Sequence, residues 1–185
     1  MVMPPLNPLF HFSERDDIIE FVPRAPVGFP DTPPRVWAID DHHSPLYLFP
    51  RDCPRIAWWA TSDSSDADVS RLCGGNRSRI FLALEEPWQE RYEKEDLFRY
   101  SLPTESFIDC HDHGVWVSEQ AVTPLSIERL TDLPKMARMS GASVEIIPSL
   151  VPVANEIWGC SLHVSMIRMR NAQGWQGPIG TPVIR

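Results

Sequence analysis

The chain has 185 residues, 43% hydrophobic and 23% charged, which is long enough to bury a full core and ordinary for a globular protein. Its net charge of −8 and pI of about 5.2 speak against a general nucleic-acid groove, because a phosphate backbone is gripped by a basic surface. No run approaches the ~20 apolar residues of a membrane span, and "MVMPPLNPLF" lacks the basic region and long apolar core of a signal peptide, so a cytoplasmic protein without membrane contact is expected.

The first expected element is a short strand, "LFHF" (9–12). "SERDDIIEFVP" then suits a helix, with Ser13 as N-cap, Asp16 and Asp17 in the first turn, and Ile18, Ile19 and Phe21 packed inward. Proline is over-represented, and "VPRAPVGFPDTPPR" (22–35) favours an extended connection. "RVWAI" (35–39) reads as a strand. "DDHHSPLYLFP" opens with capping residues and suits a short helix that Pro50 ends.

"RIAWWAT" (55–61) reads as a buried strand. "SDSSDADVSRLCGGNRS" (62–78) reads as a polar loop with a flexible Gly pair. Strands follow at "RIFLALEE" (79–86) and "LFRYSL" (97–102). "ESFIDCHDHG" (105–114) is a loop rich in titratable groups. "VWVSEQAVTPLSIERL" (115–130) alternates as a strand, with Pro124 as a bend.

"TDLPKMARMSG" (131–141) is a capped helix closed by Gly141, and "ASVEIIP" (142–148) is a strand. "LVPVANEIWGCSLHVSMIRMR" (150–170) contains a helix. No repeat or linker divides the chain. The expectation is therefore a single α+β domain over residues 1–185, with mixed or antiparallel sheets and a few short helices. Its core runs from about 7 to 172 and its tail, 173–185, is irregular. The four cysteines, Cys53, Cys73, Cys110 and Cys160, are far apart and show no C-x-x-C pair, so they read as free thiols.

Three islands carry the functional argument: "LFHFS" with His11 and Ser13, "VWAIDDHHSPLY" with Ala38, Ser44 and Tyr47, and "VSEQAV" with Glu119. Together they resemble the His-Tyr-Glu class of ADP-ribosyltransferase folds, the group that includes the poly-ADP-ribose polymerases. The sequence departs from that group at Phe12, where it often has a small residue, and at Pro34, where it usually has Gly. The resemblance implies an ADP-ribosyltransferase-like fold with NAD as cofactor and a transferase activity. His11 and Ser13 would hold the adenosine ribose and Tyr47 would stack on nicotinamide. Glu119 would hydrogen-bond the nicotinamide ribose and stabilise a cationic transition state, with His11, Tyr47 and Glu119 forming the catalytic set.

A carboxylate lowers the barrier to developing positive charge, and an aromatic face attracts a flat cation. Ser44 and Arg51 complete the expected cofactor contacts, with Arg51 on the pyrophosphate or an acid group. Glu145 and Glu156 compete with Glu119 for the acidic role. A second, broader similarity, carried by "LFHFSE", "PLYLFPRDCPR" and "SMIRMRNA", is to a family of small, uncharacterised, mainly bacterial proteins over residues 7–172. It implies one conserved domain and no known activity.

Other readings stay open beside these. His11 also suits a core histidine, Tyr47 a packing residue, and Glu119 a solvent-facing strand position. "RDCPR" places Arg51 and Arg55 where they could grip an anion or form a surface turn. Cys110, His111, Asp112 and His113, joined by His42 and His43, are possible metal ligands, but their spacing fits no standard site, and no metal is expected. Cys110 or Cys160 with His163 could form a thiol hydrolase. The seven tryptophans most simply fill the core. The alternatives to NAD chemistry are a cofactor-independent enzyme acting on a small metabolite and a non-catalytic binding protein.

Overall fold

The computed structural model describes residues 8–25 and 33–177 of the protein. In chain order its elements are β1 (Leu9–Ser13), β2 (Val36–Ile39), β3 (Arg55–Trp59), α1 (Asp66–Cys73), β4 (Phe81–Glu85), α2 (Gln89–Lys94) and β5 (Leu97–Leu102). They continue with β6 (Ile108–Asp112), β7 (Val115–Ser118), β8 (Ser126–Leu130), α3 (Leu133–Met139), β9 (Ser143–Ile147), α4 (Val151–Ile157) and β10 (His163–Ile167). Ser44–Tyr47 forms a 3-10 turn. This is an α+β protein with one antiparallel sheet, one mixed sheet and short helices. The elements fall into two compact units: the chain up to Leu48 with Asp96–Thr131, and Phe49–Glu95 with Asp132 onward.

The first unit is a six-stranded antiparallel sheet in the order β6-β7-β2-β1-β5-β8. Side chains alternate between its faces, so Leu9, His11 and Ser13 share one face, and Phe10 and Phe12 share the other. Register extends the first face through Leu102, Tyr100 and Phe98 on β5. That face carries a core of Leu9, Val36, Ala38, Tyr100 and Leu102 under Phe21, Phe107 and Val122.

The helix expected after Ser13 does not form. Ser13 Oγ accepts from the Arg15 amide at 3.0 Å, closing a tight turn two residues on instead of capping a helix. The Tyr100 hydroxyl donates to the Arg15 carbonyl at 2.8 Å and accepts from the Ile18 amide at 3.2 Å. Bonds to the sheet thus replace helical ones. Phe21 packs inward as expected, whereas Ile19 is exposed. Of the Pro-rich connection, residues 26–32 lie outside the described residues.

Two further expectations change in this unit. The 105–114 segment, read as a loop, contributes the edge strand β6, which pairs irregularly with β7 between Asp109 and Asp112. The 115–130 run is two strands, β7 and β8, and Pro124 lies in the break.

The second unit is a four-stranded sheet, β10-β3-β4-β9, in which only β4 and β9 run parallel. All five residues of β3 are buried, consistent with an unbroken apolar run at the centre of a sheet. Ile56, Trp58 and Ala83 share one cluster with Val69 and Cys73 of α1 and with Ala154 and Ile157 of α4. The polar 62–78 segment contains α1, which the sequence reading took as loop. Ser65 Oγ caps it by accepting from the Asp68 amide, and Gly74 ends it at φ +55°. The supposedly flexible Gly pair is thus a helix stop. The stretch 150–170, expected to contain a helix, holds both α4 and the strand β10. The helix ending at Gly141 does form, capped by Asp132.

All four cysteines are free. Burial pushes the Cys53 thiol up to about 12, against the opposing pull of Arg55 and Arg91. Since the thiolate is the reactive form, iodoacetamide at pH 8 should leave Cys53 unmodified in the native protein and label it only in denaturant. Rapid native labelling, located by peptide mass spectrometry, would contradict that burial.

Candidate functional site

The sheet of the first unit separates the expected catalytic residues. The His11 ring lies 4.6 Å from Phe21 on the core face, and its Nδ1 is 2.9 Å from the Trp37 carbonyl oxygen. Tyr47 ends the 3-10 turn and stacks on Phe12, with centroids 6.3 Å apart and planes 16° from parallel. Phe12 points to the face opposite His11, so the structure does not bring His11 and Tyr47 onto one face of β1.

Glu119 follows β7 with its side chain largely exposed, 3.6 Å from Arg35 Nη2. Ser13 is engaged by the Arg15 amide. Ser44 is buried at the head of the 3-10 turn, its amide donating to the Asp41 carbonyl at 3.2 Å. Arg51 belongs to the second unit, exposed in a turn whose carbonyl accepts from Arg168 Nε at 3.2 Å. Arg55, read as a possible surface arginine, is buried in β3 and donates to the Cys53 carbonyl at 3.0 Å. Glu145 is exposed on β9, and Glu156 lies 3.7 Å from Arg71.

A different pair emerges where β2 leaves the sheet. His43 Nδ1 is 2.8 Å from Asp40 Oδ1, and the same oxygen accepts from the His43 amide at 2.8 Å. Residue 40 is tied to the hairpin opposite: Ile39 pairs with Val115, and the Asp40 amide donates to the Gly114 carbonyl at 2.9 Å. Gly114 has φ +86°, and a Cβ there would fall 2.2 Å from His43 Nδ1 and 2.8 Å from Asp40 Cγ. The His43 side chain is 12% exposed.

Burial raises the Asp40 pKa, but hydrogen bonds from the His43 ring and amide outweigh it, and the net shift is downward from 3.8. A depressed carboxylate stabilises the fold above its ordinary pKa, and that contribution is lost as pH falls through the folded value. The sequence did contain a signal for this pair: an Asp three residues before a His, immediately ahead of Ser-Pro. The part played by Gly114 had none.

The remaining candidates are less complete. His111 is held by its own strand, its amide donating to Asp109 Oδ1 at 2.8 Å. Among the described residues no group of three or more His, Cys, Asp or Glu converges as a metal site. Burial raises the pKa of the thiols of Cys110 and Cys160, and the His163 ring packs 4.4 Å from Trp59, which weakens the thiol-hydrolase reading. The second unit has an open pocket of about 290 Å³, lined by Trp158, Trp175, Met166, Asn155 and Gln176 among others, with no titratable side chain among the described residues of its wall.

Comparison with known proteins adds one relation. A model of the family of unknown function DUF6886 matches residues 10–172. The chain belongs to this family. No curated protein and no solved structure matches it. The DUF6886 match takes in Phe12, Asp40, His43, Tyr47 and Gly114 and runs through strands of both sheets. The broader of the two sequence similarities is thereby family membership, which assigns no activity. Among the described residues no helix is long and apolar enough to cross a membrane.

Proposed function

We propose that this DUF6886 protein binds a small molecule through a flat ring at the Phe12–Tyr47 pair, with NAD as the first candidate and ADP-ribosyl transfer in an ADP-ribosyltransferase-like cleft as the corresponding reaction. The observation that carries the reading is the near-parallel pair at 6.3 Å. Centroids at this distance belong to an offset-stacked pair, and two such rings side by side offer an apolar, electron-rich surface on which a flat ring can lie. An electron-rich ring pair also attracts a cationic ring such as the N-ribosylated pyridinium of oxidised NAD.

The transfer reaction itself asks more of the chain. It assigns the ribose contacts to His11 and Ser13, the pyrophosphate to Arg51 and the cation-stabilising role to Glu119. His11 faces away from Tyr47 across β1, so the reading stands on the ring pair and not on the full set.

Heating the protein with NAD, ADP-ribose or nicotinamide tests it. A ligand of the native state raises the melting temperature, by about 2.7 kcal/mol of stabilisation at a hundredfold excess over Kd. NAD and nicotinamide should both shift it, and Tyr47→Ala should abolish both shifts. No shift at millimolar NAD would remove NAD from the reading. If NAD binds, Glu119→Gln should abolish nicotinamide release and leave affinity intact. Unchanged release would move the acidic role to Glu145 or Glu156. Binding without release would support the non-catalytic binding protein. A second reading, a cofactor-independent enzyme acting on a small metabolite, is favoured by the Asp40–His43 hydrogen bond.

A further inference from the structure

We propose that the pocket of the second unit is a binding site for a neutral, planar nitrogen heterocycle of the nucleobase class, held by two tryptophans and two side-chain amides. Phe12 and Tyr47 belong to the first unit, so failure of NAD to bind there leaves the proposal standing.

The walls follow from the sequence. Val151, Ala154, Asn155 and Trp158 line the pocket. They are spaced by three, four and seven residues from the first, which is one face of α4 and its C-cap. Met166 of β10 and the segment 174–177 complete the described wall. Ala154 is buried in the core cluster, and Met166 and Trp175 pack against the same cluster, so the floor rests on the fold. The segment turns at Gly174 and Gly177, with φ of +68° and +94°, and a Cβ built on either meets no described atom within 4 Å. Three wall positions therefore carry little or no side chain, which leaves the space open.

Both walls hang on one buried group. The Glu85 carboxylate accepts from the Leu150 amide at 3.0 Å, one residue before α4, and from the Gln173 amide at 2.9 Å, one residue before Gly174. Glu85 is fully buried. The two sides are thus fixed before a ligand arrives, which reduces the ordering cost of binding.

The lining sets the chemistry of the occupant. A volume of about 290 Å³ sits at the lower end of small-molecule sites, about 300–1,000 Å³, which suits one or two fused rings and not a dinucleotide. The Trp158 side chain is left 39% exposed and Trp175 is half-buried, so both indoles offer a face on which a flat ring stacks. Asn155 and Gln176 are exposed, and neither side-chain amide is bonded to another described residue. Each presents an N–H beside a C=O, the pattern that pairs with a ring nitrogen and its neighbouring amino group on a base edge. No Lys, Arg, His, Asp or Glu stands among the described wall residues, so an ionised ligand would lose water and gain no counter-charge. A hydrocarbon leaves both amides unused, and a sugar lacks the planar edge they match.

The test is calorimetric titration of the full chain with adenine, followed in parallel by tryptophan fluorescence. Adenine should bind saturably and quench the emission, whereas benzoate and glucose should do neither. Trp158→Ala should weaken adenine at least about fivefold, the share of one stacked base. Asn155→Ala combined with Gln176→Ala should also weaken adenine at least about fivefold, from the loss of two hydrogen bonds, and leave the affinity for indole intact. These side chains are exposed, so circular dichroism should not change. Three results would each overturn the proposal: no saturable binding at millimolar adenine, adenine affinity unmoved by Trp158→Ala or by the double amide variant, or benzoate or glucose binding as tightly as adenine.

Discussion

Gly114→Ala lowers the stability of the protein by about 3–4 kcal/mol and disrupts the Asp40–His43 pair in the same step. Two costs add. The backbone sits at φ +86°, a left-handed conformation that costs a residue with a Cβ about 1–2 kcal/mol. The new methyl would also lie 2.2 Å from His43 Nδ1, so the ring must move and its bond to a carboxylate, worth about 1.5–3 kcal/mol, is strained or lost. A chain of this length loses roughly 2–4 °C per kcal/mol, so melting should drop by on the order of 10 °C. Gly74→Ala is the control: its φ is +55° and nothing lies within 4 Å of the added carbon, so it carries the backbone cost alone. A Gly114→Ala variant no less stable than Gly74→Ala would show that the close approach to His43 has no energetic weight.

Glu85→Ala should cost about 3–5 kcal/mol. Glu85 is fully buried at the end of β4. Its carboxylate accepts from the Leu150 amide at 3.0 Å and from the Gln173 amide at 2.9 Å, which ties the start of α4 and the segment after β10 to the sheet. Removing it strands the buried Leu150 N–H, at about 1–3 kcal/mol. The Gln173 amide loses its acceptor in the same step, and the two losses together sum to about 3–5 kcal/mol. Urea unfolding followed by the fluorescence of Trp58 and Trp59 measures it. A midpoint within 1 kcal/mol of the parent would mean that the two amides find other acceptors.

The strands that were legible share one property. "RVWAI", "RIAWWAT", "RIFLALEE" and "ASVEIIP" are apolar runs whose burial does not depend on a particular partner, and each became a strand. The elements misread are those where local chemistry points two ways. Ser13 with Asp16 and Asp17 reads as a helix start, but the Tyr100 hydroxyl, 85 positions from Arg15, claims that backbone. The Ser and Asp residues ahead of "VSRLCGG" read as loop because Ser65 caps and turns with equal ease. Covering one face of β3 in the second unit made that stretch a helix. β6 is an edge strand whose polar residues face solvent, so no alternation announces it.

The candidate site divides in the same way. By itself the sequence determined a short helical element around Tyr47 after β2, the oddity of Phe12 beside His11, the acidic composition, and similarity to a small uncharacterised family over most of the chain. These are local or compositional properties, carried by neighbouring residues. Only the tertiary structure decided that Phe12 meets Tyr47, that His11 turns to the opposite face under Phe21, and that Gly114 closes on the Asp40–His43 pair. A one-residue step along β1 reverses the face a side chain serves, and the pairing of Ile39 with Val115 joins positions 76 residues apart. Strand parity and long-range register are settled by packing across the sheet, which no short motif encodes.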